Sequence, residues 1–271
     1  MLKLNYKYFN NSKPLIVFIH GLHSDLNTWM SNVGDFLHDF DLLLVDQRGH
    51  GDSPAFGDDY SAKSMAFDLK ELLDSLHIKK AHFLGHSMGG RTVMAFHQYF
   101  PEMCDSIVIE DMAIHKRKLS NTELDKEVRR KAQMVAVDSL DFFSKEEIID
   151  LLNPYFPNAE ELMKSKIEEK ENGIYHLKFW PSVALLYGHQ GNTTDFTDSL
   201  IHSTVPMFFL VADFKVGSVL TQSCFNHIVN KLPQAKVIQI PGAGHSIHKT
   251  HPKEFVEEVK KFIQSIIKEK I

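Results

Sequence analysis

The chain has 271 residues, of which 43% are hydrophobic and 24% are charged. This composition is typical of a soluble globular protein with a sizeable core, and the length allows one large domain or two small ones. The net charge of −5 gives none of the basic character that nucleic-acid binding requires. Two cysteines, Cys104 and Cys224, are too few for a disulfide framework and are predicted to be reduced packing residues.

The N-terminal segment MLKLNYKYFNNSKP alternates polar and apolar residues and lacks the continuous apolar core of a signal peptide. The longest apolar runs, LIVFI and MFFLVA, are far shorter than the ~20 residues that a membrane-spanning helix needs. We therefore expect a cytoplasmic protein without a membrane span. The oligomeric state stays open.

Short aliphatic runs alternate with segments of helical periodicity, which predicts an α/β fold with a mostly parallel, twisted sheet flanked by helices. All strand candidates but the first are nearly continuous apolar runs, as expected of strands covered on both faces. The first alternates, which predicts an edge strand. The seven candidates are residues 2–9, 15–20, 41–46, 81–86, 106–111, 206–212 and 235–240.

Helical segments are predicted between these strands. Ser61 is a candidate start for a helix, and a terminal helix is predicted from Pro252 onward. The first of these helices has an apolar face made of Met65, Leu69, Leu72, Leu73 and Leu76. Residues 115–203 are helix-forming and charged, with no strand signal except the aromatic cluster YHLKFW at 175–180. We therefore expect a core made of residues 1–114 and 204–271, with residues 115–203 inserted as a helical cap over one sheet edge.

The string GHSMGG at residues 85–90 contains one hydroxyl, that of Ser87. It follows the strand candidate AHFLGH and precedes the helix-like RTVMAFHQYF, the setting in which G-x-S-x-G presents a nucleophile. Gly85 and Gly89 are small enough for the tight turn, and Gly90 lets the helix approach the sheet. An ordinary turn serine is the alternative.

A nucleophilic serine also needs two N–H donors for the oxyanion. The N–H of Met88 follows the serine, and that of Leu22 lies in the loop after the strand LIVFIH. We expect Gly21 to adopt an unusual backbone conformation that directs the Leu22 N–H inward, and His20 to order this loop. His20, Gly21 and His86 are also candidate substrate-binding residues.

His245 is the predicted general base among sixteen histidines. It lies in IPGAGHSIHKTHP, after the last strand candidate, where the chain returns over the strand that leads to Ser87. His248 and His251 are interpreted as surface or packing residues. The spacing HSIH could suggest a metal pair, but no HExxH pattern or cysteine cluster supports one. We predict neither a metal nor another cofactor.

The imidazole needs a carboxylate that fixes its tautomer. Asp111, at the end of SIVIED, and Asp213, after MFFLVA, both lie between the serine and the histidine in chain order. Glu110 is a weaker third candidate, because neighbouring side chains of a strand point to opposite sides. Each aspartate could instead cap a neighbouring loop or helix.

Four motifs, HGLHSDLNTW, LLLVDQRGHGDS, GHSMGG and GAGHSIH, together resemble the α/β-hydrolase superfamily, and more narrowly the small bacterial YbfF-like esterases. They span most of the chain outside the cap. The usual superfamily position of the acid is occupied here by Lys215. In the YbfF-like branch the acid follows the strand after the nucleophile helix, and this favours Asp111 over Asp213. That branch also has an assisting serine after the later strand, which DFKVGS does not clearly reproduce.

The motif DQRGHGDSP, which is part of the same resemblance, is expected to shape a loop at the edge of the site. Asp46 and Arg48 in it are expected to form an ordering ion pair.

These residues predict a serine hydrolase that cleaves small-molecule acyl esters of short to medium chain length through an acyl-enzyme. The cap is expected to select the substrate, with Trp180 as the main candidate in an acyl pocket. Four further residues either line that pocket or form the cap's own core: Phe142, Phe143, Phe179 and Leu185.

Three alternatives remain open. A thioesterase acting on acyl-CoA would suit the basic segment 115–131, although a solvated helix face explains that charge equally well. A hydrolase of carbon–carbon bonds could use the same residues. A binding protein without catalysis is the third possibility, and such proteins usually lack a member of the triad.

Overall fold

The computed structural model of the protein describes residues 3–117, 122–156, 160 and 166–269. A seven-stranded sheet lies at its centre, in the spatial order β1-β3-β2-β4-β5-β9-β10. β1 is an antiparallel edge strand, as the alternating sequence predicted, and the other strands are parallel. The strands are β1 Tyr6–Phe9, β2 Leu15–Ile19, β3 Asp41–Val45, β4 Ala81–His86, β5 Cys104–Glu110, β9 Met207–Val211 and β10 Lys236–Gln239.

Helices cover both faces of this sheet, and two apolar clusters fill the space between them. One cluster joins the sheet to α2, α3 and α8, and the other joins it to α1 and α10. These elements are α1 Met30–Leu37, α2 Ala62–Ser75, α3 Met88–Tyr99, α8 Gln222–Lys231, α9 Ile247–Thr250 and α10 Pro252–Glu269, with 3₁₀ turns at Leu26–Trp29 and Pro101–Met103. Ser61 caps α2 by accepting a hydrogen bond from the Ser64 N–H, so the predicted helix start is confirmed.

The segment between β5 and β9, here called the insertion, is not wholly helical. Its described helices are α4 Thr122–Met134, α5 Lys145–Leu152, α6 Pro181–Gln190 and α7 Thr197–Ile201. A small antiparallel sheet of order β6-β8-β7 accompanies them, made of β6 Asp141–Phe142, β7 Ile167–Glu169 and β8 Tyr175–Leu177. The strand β8 lies in the aromatic cluster at 175–180 that the sequence set apart from the helical pattern, whereas β6 and β7 were not expected. The missed signal was Asn172-Gly173, whose positive φ angles of 84° and 70° turn the β7–β8 hairpin.

Arg91 of α3 ties both ends of the insertion to the core. Its fully buried guanidinium donates from Nη1 to the carbonyls of Ala113 (3.2 Å) and His115 (3.3 Å), just after β5. On the far side Nε donates to the Gly191 carbonyl at 2.6 Å, and Nη2 to that of Thr194. Because Ser87 is the N-cap residue of α3, this one side chain fixes the insertion relative to the nucleophile turn.

Candidate active site

Ser87 lies at the sharp turn between β4 and α3, as the N-cap residue of the helix, with φ 52° and ψ −114°. Such a conformation costs about 1–3 kcal/mol for a residue with a side chain. The glycines make the turn possible: a Cβ on Gly85 would lie 2.3 Å from the Gly89 carbonyl oxygen, and a Cβ on Gly89 would lie 2.1 Å from that of Ile19. A strained serine between two glycines that pack against backbone carbonyls is not expected of an ordinary surface turn, so this geometry favours the nucleophile interpretation.

Gly21 is needed for space rather than for an unusual backbone. Its φ is not positive, so the expected reason for this glycine was wrong. A Cβ at this position would lie 2.6 Å from His86 Nδ1 and 3.3 Å from the Ser87 Cβ. The left-handed turn comes at His23, with φ 57°. The loop that carries Leu22 therefore lies directly against the nucleophile turn.

Met88 opens α3 and is fully buried. The first N–H groups of a helix have no partner within the helix, and the positive end of the helix dipole favours negative charge there. The Met88 amide is therefore a candidate oxyanion donor beside Ser87.

Asp111 and His245 form a direct pair. Asp111 follows β5 with φ 48° and is fully buried, and its Oδ2 lies 2.7 Å from Nδ1 of His245. The same carboxylate accepts the backbone N–H of Val219 through Oδ2 (2.9 Å) and that of Ala212 through Oδ1 (3.1 Å). With its Nδ1–H donated to Asp111, His245 keeps Nε2 free to accept a proton. Its side chain is 29% exposed, which leaves it accessible to a substrate.

Ser218 is a member of this site that the sequence did not clearly reveal. Its hydroxyl donates to Oδ1 of Asp111 at 2.6 Å and accepts the Leu220 N–H at 3.0 Å. The segment DFKVGS therefore does supply a serine to the acid. The sequence signal was Gly217, whose φ of 137° turns the chain just before Ser218.

Asp213 has a different environment. Its carboxylate accepts the backbone N–H groups of Lys215 and Gly242, both at 2.9 Å. These hydrogen bonds hold the pKa of Asp213 below its ordinary value. The residue thus joins the loops after β9 and β10, which is the capping role considered for both aspartates.

His20 and His86 are buried and neutral. Burial lowers the pKa of His20 to about 4, and its ring bonds the Gly21 carbonyl through Nδ1 (2.7 Å) and the Gln47 N–H through Nε2 (3.1 Å). Burial lowers the pKa of His86 to about 3, and its Nε2 donates to the carbonyl of His245 at 3.2 Å. Both side chains order the loops that carry the candidate catalytic groups.

The predicted ion pair between Asp46 and Arg48 was wrong. Arg48 instead makes a two-pronged contact with Asp68 of α2. Asp46 accepts the backbone N–H of Leu26 through Oδ1 (2.6 Å) and that of Asp52 through Oδ2 (3.0 Å). The two charges order separate parts of the loop, and the sequence could not reveal partners so far along the chain.

The insertion supplies apolar side chains close to the nucleophile. Trp180 packs against a cluster that contains Met88, and Leu22 lies against the same cluster. Trp180 also lines a polar crevice of about 380 Å³ between the loop after β3 and the small sheet of the insertion. The four other candidates for the acyl pocket have different environments. Leu185 packs against the Met88 cluster, whereas Phe142 and Phe179 belong to the insertion's own core. Phe143 is 83% exposed.

Within the described ranges, one group of possible metal ligands comes together, with the atoms of His86, Glu110 and His248 all within 4.8 Å. These atoms already have other partners: both oxygens of Glu110 lie 2.9 Å from Nδ1 of His248, and Nε2 of His86 donates to the His245 carbonyl. Burial alone would raise the pKa of Glu110, but its interactions with His248 and His86 outweigh this effect and lower the pKa. We therefore interpret the group as a buried, hydrogen-bonded carboxylate–histidine pair rather than a metal centre.

Comparison with known proteins places these features in a family. Residues 14–162 match the model of the alpha/beta hydrolase fold family. Esterase YbfF of Escherichia coli is 26% identical over 94% of both chains, and a putative 2-succinyl-6-hydroxy-2,4-cyclohexadiene-1-carboxylate synthase of Bacillus subtilis is 26% identical over 94% of this chain and 92% of its own. The structure of a marine microorganism esterase superposes with a TM-score of 0.71 at 30% identity, covering 97% of this chain and all of that one.

The chain belongs to the α/β hydrolase fold family, and its relatives support a hydrolase of the esterase type. In the part of the chain that the structure describes, no helix has the length and apolar character to span a membrane.

Proposed function

We propose that the protein is a serine carboxylesterase in which Ser87, His245 and Asp111 act as a triad. The observation that carries this proposal is the 2.7 Å contact between Asp111 Oδ2 and His245 Nδ1, in a fold where Ser87 occupies the strained strand-to-helix turn. The carboxylate fixes the Nδ1–H tautomer, so that Nε2 can take the serine proton.

The reaction has two acyl-transfer steps. The Ser87 oxygen attacks the ester carbonyl carbon while His245 accepts the hydroxyl proton. The amides of Leu22 and Met88 stabilise the oxyanion, and the alcohol leaves with the proton from His245. Water, activated by the same imidazole, then hydrolyses the acyl-enzyme and restores the serine.

The substrate is a small acyl ester whose acyl group is short to medium in length. The apolar cluster around Met88, with Trp180 and Leu185 beside it, supports an apolar acyl site beneath the insertion. In this proposal the insertion acts as a cap, and Arg91 holds it over the nucleophile. A thioester would be cleaved by the same acyl transfer, so substrate assays must separate the two.

The test is kcat/KM on p-nitrophenyl esters of increasing acyl length, with the acyl-CoA thioesters of the same acids assayed in parallel. Ser87→Ala is the blank, because it removes the nucleophile and nothing else. The proposal predicts Ser87-dependent ester hydrolysis that declines for long acyl chains. Turnover that persists in Ser87→Ala, or thioester hydrolysis that far exceeds ester hydrolysis, would overturn the assignment.

A further inference from the structure

Glu110 and His248 form a second carboxylate–histidine pair beside Asp111 and His245. Both side chains are fully buried. Glu110 Oε1 accepts the backbone N–H of His248 at 2.9 Å, and both carboxylate oxygens lie 2.9 Å from its Nδ1. Burying a charged group is unfavourable unless it is paired and hydrogen-bonded, so this position needs an explanation beyond core packing.

His248 is held at every polar atom. Besides its two bonds to Glu110, its Nε2 lies 3.0 Å from Thr28 Oγ1, and its carbonyl accepts Asn32 Nδ2 at 3.2 Å. The ring of Trp29 packs against the imidazole with 4.3 Å between ring centroids. The start of α9 is therefore fixed to the end of β5 and to the 3₁₀ turn after β2.

The two pairs are built from neighbouring residues. Glu110 and Asp111 follow one another at the end of β5, and His245 lies three residues before His248, in the loop that leads into α9. His86 lies between them: its ring centroid is 4.6 Å from that of His245 and 5.0 Å from that of His248. Its Nε2 also donates to the carbonyl of His245 at 3.2 Å.

We propose that Glu110 and His248 are positioning residues for His245. Asp111 fixes the orientation of the His245 ring, whereas Glu110 and His248 fix the backbone from which that ring projects. Neither residue of the second pair touches the substrate. This inference rests on the proposed function, since it assigns a role within the same site.

Loss of a positioning residue lowers the catalytic rate, whereas loss of a merely structural residue lowers the stability of the fold. Misplacing a catalytic group by about 1 Å can cost about 100-fold in rate. A loss in kcat at unchanged KM means that transition-state stabilisation was lost while substrate binding was not. Replacing both partners of a buried hydrogen-bonded pair by apolar side chains of the same shape can be nearly neutral for stability. The double variant Glu110→Met with His248→Leu is therefore expected to fold, yet to hold His245 less well.

The experiment compares kcat, KM and the melting temperature of this double variant with those of the unaltered protein, using p-nitrophenyl butyrate. We expect kcat to fall by about 10- to 100-fold while KM changes by less than about twofold. Glu110→Gln keeps an acceptor for the His248 N–H and should retain more of the activity. A folded double variant with kcat within about twofold of the parent would overturn the proposal.

The matched control is Asp41→Asn, because Asp41 lies at the amino end of β3, whereas Glu110 lies at the carboxyl end of β5. Asp41 is also a buried carboxylate bonded to backbone N–H groups, those of Asn11 (2.8 Å) and Lys13 (3.1 Å). The Asp41→Asn variant should have a lower melting temperature and an unchanged kcat.

If the double variant fails to fold, Thr28→Val removes one ring hydrogen bond and leaves the contact between Glu110 and His248 intact. It should lower kcat at constant KM, and an unchanged kcat would refute the positioning role. Absence of Ser87-dependent turnover in the unaltered protein would instead refute the proposed function itself, so the two failures are distinguishable.

Discussion

Replacing Asp111 by asparagine tests the triad with the least change in shape. The carboxylate accepts four hydrogen bonds, from the N–H groups of Ala212 and Val219, from the Ser218 hydroxyl and from His245 Nδ1. An amide has only one oxygen. Each of its two orientations therefore directs an NH₂ group at a backbone N–H that cannot turn away.

The effect on catalysis follows from the charge and the tautomer. With the amide NH₂ toward His245, the ring must accept at Nδ1, which puts its proton on Nε2 and removes the base. In either orientation the imidazolium that forms during attack loses its counter-charge. We expect kcat to fall by between about 100- and 10,000-fold, which corresponds to about 3–5 kcal/mol of transition-state stabilisation.

The assay is kcat on p-nitrophenyl butyrate, with circular dichroism to verify folding, and Asp213→Asn is the matched control. Asp213 accepts only backbone N–H groups from Lys215 and Gly242, so its replacement should change kcat by less than about threefold. A large loss in Asp213→Asn together with near-normal kcat in Asp111→Asn would refute the assignment of the acid.

Three further predictions concern the surroundings of the site. Ser218→Ala removes one of the bonds to Asp111 and should lower kcat by about tenfold, since a hydrogen bond to a charged group contributes about 1.5 kcal/mol or more; an unchanged kcat would contradict this. Arg91→Met leaves buried carbonyls without donors and should lower the free energy of unfolding by about 2–4 kcal/mol in urea titration, whereas unchanged stability would refute the tethering role. His20 and His86 have pKa values lowered to about 4 and 3, so only the unfolded chain binds their protons as pH falls below about 6.5. Stability should therefore be complete above that pH and decline toward pH 4 by about 1.4 kcal/mol per pH unit for each histidine; a flat stability between pH 7 and 5 would contradict the burial of neutral rings.

Local patterns were sufficient to predict much of this fold. The apolar stripe from Met65 to Leu73 is buried in α2, and the GHSMGG string forms the strand-to-helix turn that its glycines indicated. These features depend on neighbours within a few residues, so periodicity and glycine spacing reveal them. The Asn172-Gly173 hairpin was just as local and was overlooked, because its strands have only three residues each.

Partners far apart in the chain could not be predicted from spacing. Ser218 meets Asp111 across 107 positions, and Glu110 meets His248 across 138. Arg91 binds carbonyl groups, which carry no side-chain signature at all. Spacing could not decide between Asp111 and Asp213 for the same reason. Each aspartate lies at the end of a strand, and the path of the later loops brings His245 to Asp111.

The most direct test of the account is to trap the acyl-enzyme. The protein is mixed with p-nitrophenyl butyrate, quenched in acid within milliseconds, digested and analysed by mass spectrometry, with Ser87→Ala treated in parallel. The account predicts a butyryl group on the peptide that contains Ser87, and no adduct or turnover in Ser87→Ala. Turnover with the acyl group on another residue, or undiminished hydrolysis by Ser87→Ala, would contradict it.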